Sequence, residues 1–190
     1  MRAWLYNIYK GVLTTLGDIM VATQPPKTMA KQIMDMDRVI ECGDIICRGY
    51  TYYLDSIFIP GDYTHSGIVY HRHEMFHMIA EGIKRIHPID FIKDTDRFIV
   101  LRPFYPKGTV MNCIRRAMQL QKEKKEYDFL FNEDNKYYCH EFTAECLSPT
   151  GISISRTIKR FGIWPFRFQR ELYLAKNLID KFEIVYEFNP

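Results

Sequence analysis

The stretch from Thr64 to Ile83 leaves this chain few ways to fold. Thr64-His65-Ser66-Gly67-Ile68-Val69-Tyr70 reads as a strand, His71 to Met75 as a five-residue turn, and Phe76 to Ile83 as the returning strand. Two β-rich runs joined by a short segment of this kind form an antiparallel hairpin, so the chain is built on an antiparallel sheet. In this register Tyr70 faces Phe76, Val69 faces His77, Gly67 faces Ile79, and His65 faces Glu81. Directly paired side chains lie roughly 5 Å apart at Cβ, close enough for an imidazole and a carboxylate to bond. A carboxylate behind a histidine fixes its tautomer and supports its protonated form. Gly67 shares the face of His65 and leaves room for another element to approach. A slip of one residue separates the pair.

The second constraint is Tyr137-Tyr138-Cys139-His140-Glu141-Phe142-Thr143-Ala144-Glu145-Cys146, which reads as the start of a helix after the loop Asn132 to Asn135. Cys139 falls in the first turn. Helix N-termini carry a partial positive charge and unpaired amides. A cysteine there has a depressed pKa and becomes nucleophilic near neutral pH. The same amides suit the oxyanion formed when a thiolate attacks a carbonyl.

Around these two segments the pattern gives a single α+β domain over residues 1–190: a small antiparallel sheet packed with helices. Leu5, Ile8, Tyr9, Val12, Leu16 and Ile19 recur at helical spacing, so the first 24 residues read as an amphipathic helix packed on the domain. The rival reading of that helix is a membrane-surface anchor. Thr28 is the expected N-cap of a helix running to about Arg38. Gly43 to Cys47, Phe98 to Leu101 and Phe182 to Tyr186 read as strands, Ile89 to Ile92 as a helical turn, and Lys107 to Lys122 as a helix. Ser148-Pro149-Thr150-Gly151 marks a break, and a helix is expected over Phe166 to Leu178.

Composition excludes several classes. With 47% hydrophobic residues in 190, the chain can bury a real core, and a net charge of +3 calls for no nucleic acid. The five cysteines are odd in number, and Cys42-x4-Cys47 and Cys139-x6-Cys146 match no common zinc spacing. Free thiols in a reducing compartment follow. Asn7 and Lys10 interrupt any export-signal core and no run approaches a membrane span, so the expected location is the cytoplasm.

Taken in order, Gly43-Asp44-Ile45-Ile46, Thr64 to Tyr70, Ile79-Ala80-Glu81-Gly82-Ile83, Val100-Leu101-Arg102-Pro103, and Tyr127-Asp128-Phe129 before Tyr138 to Phe142 form a series. That series resembles the circularly permuted NlpC/P60 papain-like cysteine hydrolases of the YiiX/YebB-like branch. Lecithin-retinol acyltransferases are more distant relatives. It covers about residues 36 to 147, leaving an N-terminal extension (1–35) and a C-terminal one (151–190) to set substrate or partner. The resemblance implies Cys139 as nucleophile, His65 as base and Glu81 as the polar residue orienting it. The usual serine after the cysteine is His140 here, and the usual leucine is Phe142.

The implied chemistry is amide or ester cleavage through an acyl-cysteine intermediate, with a thiolate–imidazolium pair and no metal or organic cofactor. The substrate is a peptide-like or cell-wall-type amide; a lipid acyl group is the alternative on the same triad, and an inactive binding module of the same fold is the competing class. Tyr50, Tyr52, Tyr53, Tyr63 and His140 are candidates for the oxyanion hole or substrate contact. Cys42, Cys47, Cys113 and Cys146 read as structural. His71, His73 and His77 read as solvated histidines in or beside the turn rather than metal ligands. Lys159, Arg160, Arg167 and Arg170, interleaved with Phe161, Trp164, Phe166 and Phe168, read as a packed aromatic tail with a cationic edge. Weak membrane-surface contact through the termini is the partner expectation beyond substrate.

Overall fold

A computed structural model describes residues 25–50, 61–131, 133, 135–161 and 168–190, together with 4, 7, 8, 11, 12 and 15. In chain order its elements are α1 (Ala30–Val39), β1 (Ile45–Gly49), β2 (His65–His71), β3 (Glu74–Ile79), β4 (Gly82–Ile86) and α2 (Pro88–Ile92). Then come β5 (Arg97–Arg102), α3 (Val110–Lys122), α4 (Cys139–Leu147), β6 (Thr157–Phe161), β7 (Phe168–Leu172), α5 (Ala175–Ile179) and β8 (Glu183–Phe188). Six strands form one antiparallel sheet in the order β4-β3-β2-β1-β5-β8, and β6 and β7 form a separate hairpin.

Alternation along the strands sorts the sheet's residues into two cores. Ile45, Cys47, Ile68, Phe76, Ile99 and Leu101 pack with Ile114 of α3 and Phe142 of α4. Ile46, Val69, Met75, Phe98 and Val100 pack instead with Met36 of α1 and Phe91 of α2. Helices therefore cover both faces, which is why these strands are apolar at consecutive positions rather than at every second one. The fold is a mixed α+β one, as the pattern predicts.

Two pieces of the motif series meet here. Arg102 donates from Nε to Asp44 Oδ1 at 2.9 Å and from Nη2 to Asp44 Oδ2 at 2.8 Å, and also to the Val39 carbonyl. Asp44 is buried, and its Oδ2 also accepts the Glu41 amide. Removing one partner of such a pair strands a charge in the interior. Arg102→Met is therefore expected to cost on the order of 3 kcal/mol in urea unfolding; a loss under ~1 kcal/mol would mean that Asp44 finds water or another donor.

Several expectations are corrected. Thr28 does not cap α1; its hydroxyl donates to the Thr95 carbonyl, and Gln32 accepts the Met29 amide at the helix start. The single strand over Phe76 to Ile83 is two, because Ala80 and Glu81 form a turn closed by Gly82 at φ +97°. Residues 168–172 are strand rather than helix; their apolar residues, Phe168 and Leu172, stand four apart, a spacing that fits a strand's period of two as well as a helical turn. At the N-terminus the described residues are helical, but Ile8 and Val12, expected to face the domain, are 55% and 50% exposed. The other residues of that face lie outside the described residues. No helix among the described residues is long and apolar enough to cross a membrane.

Candidate active site

Cys139 is the first residue of α4, and Tyr138 caps it in an extended conformation. Tyr138 is pinned by its hydroxyl, which takes the Tyr173 amide proton and donates to the Tyr173 carbonyl. The helix start is thus tied to the segment between β7 and α5. Cys139 is fully buried, and its thiol donates to the Thr64 carbonyl at 3.4 Å, one residue before His65.

His65 opens β2, and its Nε2 lies 3.1 Å from Nδ1 of His77 on β3. The two rings meet edge to face, and Phe91 of α2 touches both, with centroids 5.4 and 5.5 Å away. Arg48, the β1 partner of His65, lays its guanidinium 4.3 Å from the Phe91 centroid and donates to the Phe91 carbonyl. Gly67 pairs with His77 across the hairpin, and a Cβ there would sit 2.7 Å from the Phe76 carbonyl oxygen and 3.2 Å from His77 Cβ. The room at Gly67 is filled by β3 itself, which carries His77 in close.

Glu81 is therefore not the partner of His65. The turn between β2 and β3 is only Arg72-His73, with a register shift between Val69 and His71, and Gly67 pairs with His77 rather than Ile79. A two-residue shift keeps each side chain on its face but changes its neighbour, so Glu81 moves past His65 into the exposed β3–β4 turn. His77 becomes the diagonal neighbour, within reach of a long side chain. Instead of the solvated histidine that the sequence predicts, His77 is buried on β3. The one sequence signal for it was its place on the same strand face as Glu81, four residues nearer the turn.

Burial holds the His65 imidazole well below its ordinary pKa, with Arg48, His77 and His140 adding in the same direction. His65 nevertheless keeps part of its surface exposed. Burial, then Arg48, lowers His77 to about 4. These shifts favour neutral imidazoles. The His65 ring lies toward Phe91 of α2, whereas Ser66, the next residue, faces Thr143 of α4.

The other named residues scatter. Tyr63 is buried and donates its hydroxyl to Glu187 at 2.9 Å, so that group is committed to β8. Tyr50 lies under the Arg48 guanidinium, 5.3 Å from its ring centroid. Tyr52 and Tyr53 lie outside the described residues, as do Trp164, Phe166 and Arg167. His140 is fully buried, with Nδ1 2.8 Å from Ser66 Oγ. His71 and His73 are exposed at the turn, where His73 Nδ1 lies 3.2 Å from His87 Nε2. Cys47, Cys113 and Cys146 are buried, and burial raises each thiol's pKa, that of Cys113 to about 12. Cys42 is exposed.

A polar cleft of about 290 Å³ runs along α4, lined by Lys136, Tyr137, Glu141, Glu145, Arg156 and Tyr173 among others. Glu141 is two positions past Cys139 and so on the opposite side of the helix from its thiol. Burial first, then Asp128, raises Glu141 to about 7, while Arg156 at 3.7 Å opposes the rise.

Residues 39–166 match the sequence profile of a family described as permuted papain-like amidase enzymes, YaeF/YiiX, C92 family. No curated protein matches the chain.

Proposed function

Because this chain belongs to the permuted papain-like amidases of the YaeF/YiiX, C92 family, we propose that it cleaves an amide through an acyl-cysteine on Cys139, with His65 as the base and His77 as its positioning residue. The supporting observation is the arrangement at the start of α4. The Cys139 thiol lies against the carbonyl of Thr64, and the next residue, His65, has Nε2 held by His77. With Nε2 engaged, Nδ1 is the ring nitrogen left for the thiol proton, and the reaction needs the His65 ring to shift from its place against Phe91 toward the start of α4. Neutral His65 then donates from Nε2 to His77 Nδ1, and His77 carries its own proton on Nε2.

In the reaction His65 Nδ1 takes the thiol proton as sulfur attacks the substrate carbonyl carbon. The Cys139 amide, at the helix start, stabilises the oxyanion. The imidazolium gives its proton to the leaving amine as the C–N bond breaks. Water, losing a proton to His65, then attacks the acyl-cysteine and releases the acid and the free thiol. At neutral pH His65 is in the unprotonated form that a base needs, and the developing thiolate stabilises the imidazolium as it forms. A peptide or cell-wall-type amide, such as a γ-glutamyl linkage, is the proposed substrate class.

The test is rapid-quench mass spectrometry with a panel of peptide p-nitroanilides. A transient acyl adduct mapping to Cys139, and no turnover in Cys139→Ala, is the expected result. Turnover that survives Cys139→Ala would overturn the reading.

A further inference from the structure

His140 occupies the position after the nucleophile, is fully buried, and takes no part in the chemistry described above. Its surroundings form a continuous chain. His140 Nδ1 lies 2.8 Å from Ser66 Oγ, Ser66 Oγ lies 2.9 Å from Thr143 Oγ1, and Thr143 Oγ1 donates to the Cys139 carbonyl at 3.1 Å. Ser66 and Thr143 are also wholly buried. The chain leaves α4, crosses to β2 beside His65, and returns to the peptide of the nucleophile.

Proton counting fixes its direction. Each hydroxyl carries one proton, and a carbonyl carries none. The Thr143 proton goes to the Cys139 carbonyl. The Ser66 proton must then serve the contact with Thr143, so the contact between Ser66 and His140 needs a proton on His140 Nδ1. All three bonds form together only when Nδ1 is protonated. Neutral His140 then has a bare Nε2, and that atom has no hydrogen-bond partner among the described residues. The opposite tautomer would run the chain away from Cys139 toward the Tyr63 backbone. Nε2 makes no hydrogen bond of acceptable geometry there.

We propose that His140, through Ser66 and Thr143, is a positioning residue that fixes the Cys139 peptide against β2, and hence the thiol relative to His65, by donating from Nδ1. The inference rests on Cys139 and His65 acting as nucleophile and base. An asparagine amide can occupy the Nδ1 position of a histidine, whereas a glutamine amide reaches the Nε2 position. The two substitutions therefore separate a donor at Nδ1 from mere filling of space.

The experiment is iodoacetamide alkylation of Cys139 against pH in the full chain, for wild type, His65→Ala, His140→Asn, His140→Gln and Ser66→Ala, with thermal melting of each. Nitrogen NMR of isotope-labelled histidine in the wild type reports the tautomer. The expected outcome is a proton on Nδ1 of His140, near wild-type labelling in His140→Asn, and a loss of about tenfold or more in the His65-dependent labelling of His140→Gln and Ser66→Ala, as misplaced reacting groups give. Equal labelling in the Asn and Gln variants, or a proton on Nε2, overturns the relay alone. Wild-type labelling with no His65-dependent component overturns both the relay and the catalytic reading beneath it.

Discussion

His77→Ala is expected to lower kcat/KM for amide hydrolysis by about a hundredfold or more, while Glu81→Ala changes it by no more than about twofold. His65 Nε2 bonds to His77 Nδ1 at 3.1 Å, and both rings are braced by Phe91. Without His77, the His65 ring loses the group that sets its tautomer and its orientation, and Nε2 faces a cavity. A hundredfold corresponds to about 2.7 kcal/mol of transition-state stabilisation. His77→Asn places an amide oxygen near the old Nδ1 position and should recover part of the rate. Steady-state kinetics on the three variants, with melting temperatures, checks this. A loss confined to Glu81→Ala would restore the hairpin register read from sequence and remove His77 from the mechanism.

Stability is expected to fall by on the order of 1.4 kcal/mol or more for each pH unit between about 6.5 and 4.5. His77 and His140 have ordinary values of 6.5 and are held near 4 in the folded chain. Above pH 6.5 both are neutral in the folded and unfolded states, and their full stability is present. As pH falls toward 4 the unfolded chain takes up two protons that the folded chain refuses, so stability is lost. His65 acts in the same direction. Glu141 acts in the opposite one: raised from 4.5 to about 7, it binds a proton earlier when folded and adds stability as pH falls through 7. Two imidazoles less one carboxyl leave at least one net proton. Urea unfolding at pH 7, 6 and 5 measures the slope, and Glu141→Gln, which removes the offset, should steepen it about twofold. A stability that stays level across this window would mean that the imidazoles charge within the fold.

What could be read from the chain was local, and what could not was relational. The start of α4 at Cys139 was legible because the preceding loop and the apolar spacing after it mark a helix terminus. The antiparallel core was legible from the β-rich runs of β2, β5 and β8. The partner of His65 was not, because it depends on whether the hairpin turn holds five residues or two, and the segment His71 to Met75 is chemically compatible with both. The even shift kept the right face and chose the wrong residue. Asp44 and Arg102 were visible as fragments of a motif, but their bond spans 58 positions and only the closed sheet brings them together. Residues 168–172 are ambiguous because Phe168 and Leu172, four apart, satisfy either period. The buried chain from His140 to Ser66 and Thr143 had no sequence signature beyond an unusual residue after the cysteine.

The most direct measurement is the pH dependence of iodoacetamide alkylation at Cys139, read by peptide mass spectrometry in wild type and His65→Ala. Burial of the thiol slows labelling at every pH, so the shape of the profile is what matters. If Cys139 and His65 act together, labelling switches on well below pH 8, and His65→Ala abolishes that component. Labelling that rises only near pH ~8.5, the ordinary range of a cysteine, and is unchanged by His65→Ala would contradict it.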